Sequence, residues 1–72
     1  MRGMTEKQKA VLVFIREFIV KTGFPPTRVE IADGMGYRSP NAAEEHIKAL
    51  CRHGAIELIH GTARGIRIVG GS

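Results

Sequence analysis

The chain has 72 residues, 43% of them hydrophobic, which is enough for one small domain. Below roughly 80 residues such a core leaves only a few kcal/mol of net stability, and little chain remains to wall a catalytic cleft. Eleven Lys+Arg against seven Asp+Glu give a net charge of +4 and a sequence pI near 9.9, a balance that points towards polyanionic partners.

The N-terminus, MRGMTEKQ, lacks the apolar h-region of a signal peptide. A single cysteine, Cys51, rules out an internal disulfide and fits a reducing cytosol. No apolar run approaches the ~20 residues of a membrane span. Together these features predict a cytoplasmic protein with no membrane partner. A first helix is expected from Thr5, because Thr5 and Gln8 form the T-x-x-Q capping box. Val11, Leu12, Ile15, Phe18 and Ile19 then recur at helical spacing. Gly23 offers a left-handed stop after Thr22.

Phe24-Pro25-Pro26 forms a stiff extended connector. Thr27 and Glu30 repeat the capping pattern ahead of Ile31, Ala32 and Met35, so a short second helix is expected, closed by Gly36. Gly34 within it weakens the helix by about 1 kcal/mol relative to Ala. Gly36-Tyr37-Arg38 is a tight turn. Ser39 is a favoured N-cap and Pro40 is favoured at the first helical position, so a third helix is predicted from Pro40 to His53, capped by Gly54. Its Ala43, Ile47, Leu50 and Cys51 fall on one apolar stripe. Asn41, Glu45, Lys48 and Arg52 form a second stripe, wholly polar and facing away from the first.

After Gly54 the pattern changes. Ala55 to His60 is β-prone, Gly61 to Gly65 reads as a five-residue loop, and Ile66 to Val69 begins with apolar/polar alternation. The predicted fold is mainly α with a small β-hairpin: three helices plus a two-stranded antiparallel wing, a winged helix-turn-helix. It occupies residues 1–69, and Gly70-Gly71-Ser72 has the composition of a linker.

In a helix-turn-helix the second helix of the pair enters the major groove, and its N-terminal residues meet base edges. Here those residues are Ser39, Asn41 and Ala42, with two acids, Glu44 and Glu45, one turn on. Acids repel phosphates, yet base edges decide specificity. Glutamate accepts from the cytosine amino group, Asn pairs with adenine, and Ala packs on a thymine methyl. Lys48 and Arg52 along the helix, and Arg64 on the wing, supply the phosphate attraction. From His46 onward four bases (Lys48, Arg52, Arg64, Arg67) face one acid (Glu57), so positive charge concentrates there.

Each residue also has a plainer role. Glu44 and Lys48 form an i, i+4 pair in the favourable order, worth about 0.2–0.5 kcal/mol, and that pair is the expected partner arrangement for Glu44. Glu45 faces Ala49 at i+4 and has no such partner. Ser39 is first a cap, and Arg64, between glycines, is ordinarily a solvated loop charge. His46, Cys51, His53 and His60 fit no ordinary zinc spacing, so no metal and no cofactor are expected. Ser39 has no positioned base and no carboxylates converge, so no catalytic residues are assigned. A winged helix serving as a protein-interaction module is the alternative, and the polar stripe argues against it. Double-stranded RNA is a poor target, because its deep, narrow major groove shuts out side chains.

GFPPTRVEIADGMGYRSPNAAEEHIKAL, followed by GAIE and TARGIR, resembles the N-terminal DNA-binding domain of the LexA repressor family over nearly the whole chain. The resemblance implies a domain that represses DNA-damage (SOS) genes by binding palindromic operators with CTGT-type half-sites. It implies base reading by Ser39, Asn41, Ala42, Glu44 and Glu45, with a helix-turn-helix from Arg28 to Lys48. Backbone contacts are expected from Arg28, Lys48, Arg52 and Arg64. Full-length members have a C-terminal half that dimerises and cuts its own chain with a Ser/Lys pair on activated RecA filaments. That half lies outside these 72 residues, so the chain is expected to bind operator DNA as a monomer or weak associate and to catalyse nothing. The implied location is the bacterial cytoplasm, at the nucleoid. Gly34, Cys51 and the G-G-S end depart from the family pattern, away from the reading surface.

Overall fold

The architecture comes from a computed structural model that describes residues 3–69; the linker expected at 70–72 lies outside them. Helix α1 spans Glu6–Thr22 and opens on the expected capping box, with Gln8 N–H donating to Thr5 Oγ1 (3.1 Å) and Thr5 N–H to Gln8 Oε1 (3.0 Å). Helix α2, Arg28–Met35, opens on the second box, formed by Thr27 and Glu30 at 2.9 and 3.1 Å. Gly36 closes α2 at φ 76°, a left-handed conformation costly for any side chain. Its N–H donates to Asp33 and that of Tyr37 to Ala32, a Schellman closure that satisfies two carbonyls otherwise left open.

Helix α3 runs Pro40–Arg52, and its end is closed the same way, by Gly54 N–H to Cys51 and Ala55 N–H to Leu50. Two expectations about it change. Ser39 has the extended backbone of a cap, but its hydroxyl makes no capping bond. The Ala42 N–H it would serve bonds Ser39's own carbonyl at 3.2 Å instead. Cys51 lies at the rim of the apolar stripe and is half-buried, whereas the small Ala49 is buried.

The wing consists of β1 (Ile56–Leu58) and β2 (Ile66–Ile68), paired antiparallel with Ile56 opposite Ile68 and Leu58 opposite Ile66. The ladder continues one residue past each end. Ile59 N–H donates to Gly65 (2.7 Å) and Val69 N–H to Ala55 (3.0 Å). The loop is therefore 60–64, one residue earlier than the glycines suggest. Gly65 closes it, and a Cβ there would stand 2.0 Å from the Ile59 carbonyl oxygen, so only glycine permits this approach. Ile56 and Ile66 point into the core, and Glu57 and Arg67 pair across the outer face.

Val11 and Ile15 of α1, Ile31 and Ala32 of α2, Ala43, Ile47 and Leu50 of α3, and Ile56 and Ile66 of the wing form one apolar cluster. Fully burying each of the larger side chains is worth about 1.5–3 kcal/mol, so every element contributes and none is an ornament. The Gly34 site also has a packing explanation. A Cβ there would fall 2.2 Å from Cε2 and 2.4 Å from Cζ of Phe14, so the glycine is where α1 seats an aromatic ring against α2.

The ring contact generates a coupling prediction. Gly34→Ala gains about 1 kcal/mol of helix propensity but displaces Phe14, so alone it is expected to leave stability unchanged or lower. In a Phe14→Ala background the same substitution should stabilise by about 1 kcal/mol. Urea denaturation of the four proteins measures the difference; equal gains in both backgrounds would show that the ring does not constrain the site.

Candidate nucleic-acid interface

The α2–turn–α3 unit places the predicted reading residues on one end of one helix. Asn41, Glu45, Lys48 and Arg52 are all exposed, while Ala43, Ile47 and Leu50 on the opposite side have no solvent exposure. Ser39, Ala42 and Glu44 are half-buried beside the exposed four. Because Ser39 Oγ makes no capping bond, its hydroxyl is available at the helix N-terminus. No acid occupies the first turn of α3, so the positive end of the helix dipole is not offset there.

The four expected backbone cations divide into two kinds. Among the described residues Lys48 and Arg52 have no acid within 4.0 Å. Arg28 and Arg64 both do. Arg28 Nε donates to Glu44 Oε1, linking the start of α2 to α3 across sixteen positions of sequence. This corrects the expected Glu44–Lys48 pair: the carboxylate turns towards α2 rather than along its own helix. An arginine at the first position of α2 stands at the unfavourable, positive end of that helix, and the Glu44 carboxylate supplies the opposing charge.

Arg64 is not a solvated loop charge in the unbound domain. Its guanidinium forks onto Glu30, Nη1 to Oε1 at 2.7 Å and Nη2 to Oε2 at 2.9 Å, and Nη1 also donates to the Pro25 carbonyl at 2.9 Å. The same group lies 4.6 Å above the Phe24 ring, a cation–π contact. One side chain thus joins the wing loop, the connector and α2. Hydrogen bonds from the Arg64 guanidinium, helped by the Thr27 N–H, hold the Glu30 carboxyl down at about 2, against 4.5 unperturbed.

Two features escape the sequence reading. Arg38, treated as a turn residue, is exposed immediately before α3, with no acid within 4.0 Å among the described residues. His46, considered only as a metal ligand, stacks against Tyr37 of the turn at 5.5 Å and 35°. Among the described residues no three of His, Cys, Asp and Glu gather as a metal site would require, and no helix is long and apolar enough to cross a membrane.

A short helix, a left-handed turn, a second helix with a polar outer face and a hairpin packed beside it define the class of winged helix-turn-helix domains. The particular family follows from comparison with known proteins. The model of the LexA DNA binding domain matches residues 1–65, and the chain belongs to that family. It is 64% identical over 66 residues to the LexA repressor of Marinomonas sp. (strain MWYL1), covering 92% of the chain and 32% of that protein. It is 58% identical over 69 residues to the LexA repressor of Sodalis glossinidius, covering 96% of the chain and 34% of that protein. The chain therefore spans about a third of the length of these relatives. The matched model describes a DNA-binding domain, in keeping with a binding role for these residues.

The Glu30 carboxyl makes the clamp sensitive to acid. Its folded pKa lies below that of the unfolded chain, so the unfolded state takes up protons first as pH falls. The stability it contributes is present above pH 4.5 and is lost as pH falls towards about 2. Glutamine preserves the capping box but not the charge. Thermal melts of Glu30→Gln should lie below wild type at neutral pH and converge with it in acid. Parallel curves down to the lowest pH would remove the Arg64–Glu30 pair from the stability of the domain.

Proposed function

We propose that the domain binds double-stranded DNA sequence-specifically as the reading head of a transcriptional repressor of SOS genes. On this reading α3 lies in the major groove of a palindromic operator with CTGT-type half-sites. The observation that carries it is the solvent face of α3, where Asn41, Glu45, Lys48 and Arg52 stand clear of the core on a helix placed by a helix-turn-helix. The names of the relatives as repressors support the same reading.

Base reading falls to Ser39, Asn41, Ala42, Glu44 and Glu45. Phosphate attraction comes first from Lys48 and Arg52, the two expected cations with no acid partner among the described residues, and we add Arg38 to them. Arg64 acts chiefly as the strut that fixes the wing, and Arg28 acts on Glu44 as described below. In a full-length parent the domain would work as half of a homodimer on the two half-sites, released when activated RecA filaments trigger self-cleavage elsewhere in the chain. That places it in the bacterial cytoplasm, at the nucleoid.

Fluorescence anisotropy with a labelled CTGT…ACAG duplex and a shuffled duplex, at two salt concentrations, tests this. Salt-sensitive binding with a clear preference for the palindrome is expected; equal, weak binding to both would shift the surface to a protein partner.

Glu45→Ala should cost about 1–3 kcal/mol on the palindrome, as for a lost base contact, and leave binding to the shuffled duplex equal or slightly tighter. A parallel fall on both duplexes would make Glu45 structural. Lys48→Ala and Arg52→Ala should instead weaken binding to every sequence and reduce the salt slope by roughly one each. A salt slope equal to that of wild type would take either residue out of the phosphate contacts.

A further inference from the structure

The two adjacent acids on α3 are held differently. Glu45 is exposed and has no partner among the described residues. Glu44 is about one-third exposed, at 31%, and is gripped by Arg28, itself 29% exposed. Only Arg28 Nε and Glu44 Oε1 take part in that bond. Among the described residues no hydrogen bond reaches Glu44 Oε2 or either terminal nitrogen of Arg28.

We infer that Arg28 is a positioning residue for base recognition, which fixes the Glu44 carboxylate so that its second oxygen faces the groove, and is not primarily a phosphate ligand. This rests on the DNA-reading role proposed above. Three observations carry it. A free glutamate samples many rotamers, and one tied across two helices is ordered before DNA arrives. Guanidinium bonded through Nε still opposes the charge of the carboxylate, so Glu44 can approach the polyanion with less repulsion than Glu45. The location of Arg28 at the start of α2 is also poor for the helix itself and suits only a partner beyond it.

A charge ligand and a positioning residue behave differently when Glu44 is removed. A phosphate contact costs the same affinity on any DNA, whatever stands at position 44. A positioning contact loses its effect once there is no carboxylate to position.

The experiment is a cycle of wild type, Arg28→Gln, Glu44→Gln and the double variant on the palindromic and shuffled duplexes, with salt slopes. Glutamine is isosteric with glutamate and, though shorter than arginine, is of similar helix propensity, so both changes should spare the helices, which circular dichroism of each protein checks. Arg28→Gln should reduce the preference for the palindrome about tenfold, the scale of one base contact, with shuffled binding within about twofold of wild type. In the Glu44→Gln background the same change should alter neither by more than about twofold. Arg28→Lys, which keeps the charge but loses the planar fork, should restore only part of the preference.

Equal loss on both duplexes with the slope lowered by roughly one, and the same loss without Glu44, would make Arg28 a phosphate ligand and overturn the inference. So would an Arg28→Gln protein that matches wild type on both. If wild type itself fails to prefer the palindrome, the DNA-reading role fails first, a result separate from the cycle.

Discussion

Helix α3 meets two demands with a single rotation about its axis. Ala43, Ile47 and Leu50 must lie in the core, where they have no solvent exposure, and Asn41, Glu45, Lys48 and Arg52 must then face outward. Removing a buried Ile or Leu side chain costs about 2–5 kcal/mol, while the net stability of so small a domain is only a few kcal/mol. The helix therefore cannot turn to trade one face for the other without unfolding the domain. The direction in which the proposed reading residues point is a packing property. It is set by α1, α2 and the wing, whose own buried residues close over the same stripe.

The wing raises a separate problem, because two strands of three residues hold little apolar surface. An isolated hairpin of that size is at best marginal in water. Burial of Ile56 and Ile66 anchors its base, and Arg64 anchors the loop. Exposed ion pairs are usually worth between nothing and about 1 kcal/mol, since ordering two long side chains offsets the attraction. Arg64 improves on that geometry. A two-pronged fork on Glu30, a carbonyl of Pro25 and the face of Phe24 share the cost of fixing one side chain. Lysine could supply the charge but neither the fork nor the stacked plane.

Much of this was legible in the sequence because it depends on neighbours in the chain. Both capping boxes, the left-handed stop at Gly36 and the two faces of α3 follow from residues within one or two helical turns. What was not legible links distant positions. Nothing local tells that Glu44 prefers Arg28 to Lys48, since that choice depends on how α2 crosses α3. The Arg64 clamp spans 34 residues to Glu30 and 39 to Pro25, so the glycines around Arg64 made it look like a free loop charge. Gly34 read as a weakness of α2 because the Phe14 ring that occupies its missing Cβ comes from another helix. Ser39 failed as a side-chain cap for a subtler reason: its own carbonyl took the N–H first.

The acids on a DNA-facing helix can now be weighed by their surroundings rather than by their charge alone. Affinity for any nucleic acid grows with phosphate neutralisation, whereas discrimination is the difference between right and wrong sequences. A lone carboxylate lowers affinity for the wrong sequence by repelling its phosphates, while on the right one the same repulsion is outweighed, because only the correct base edge provides a donor in return. Glu45 fits that description, exposed and without a partner among the described residues. Glu44, paired with Arg28, is a different device on that reading: a carboxylate held by an arginine, whose repulsion is largely offset and whose direction is set. On the proposed reading, two neighbouring glutamates divide the work: one makes incorrect DNA unfavourable, and the other makes a correct contact available in a fixed place. That division is possible only because α2 carries a cation where its own dipole disfavours one, a local penalty that serves a partner sixteen residues away.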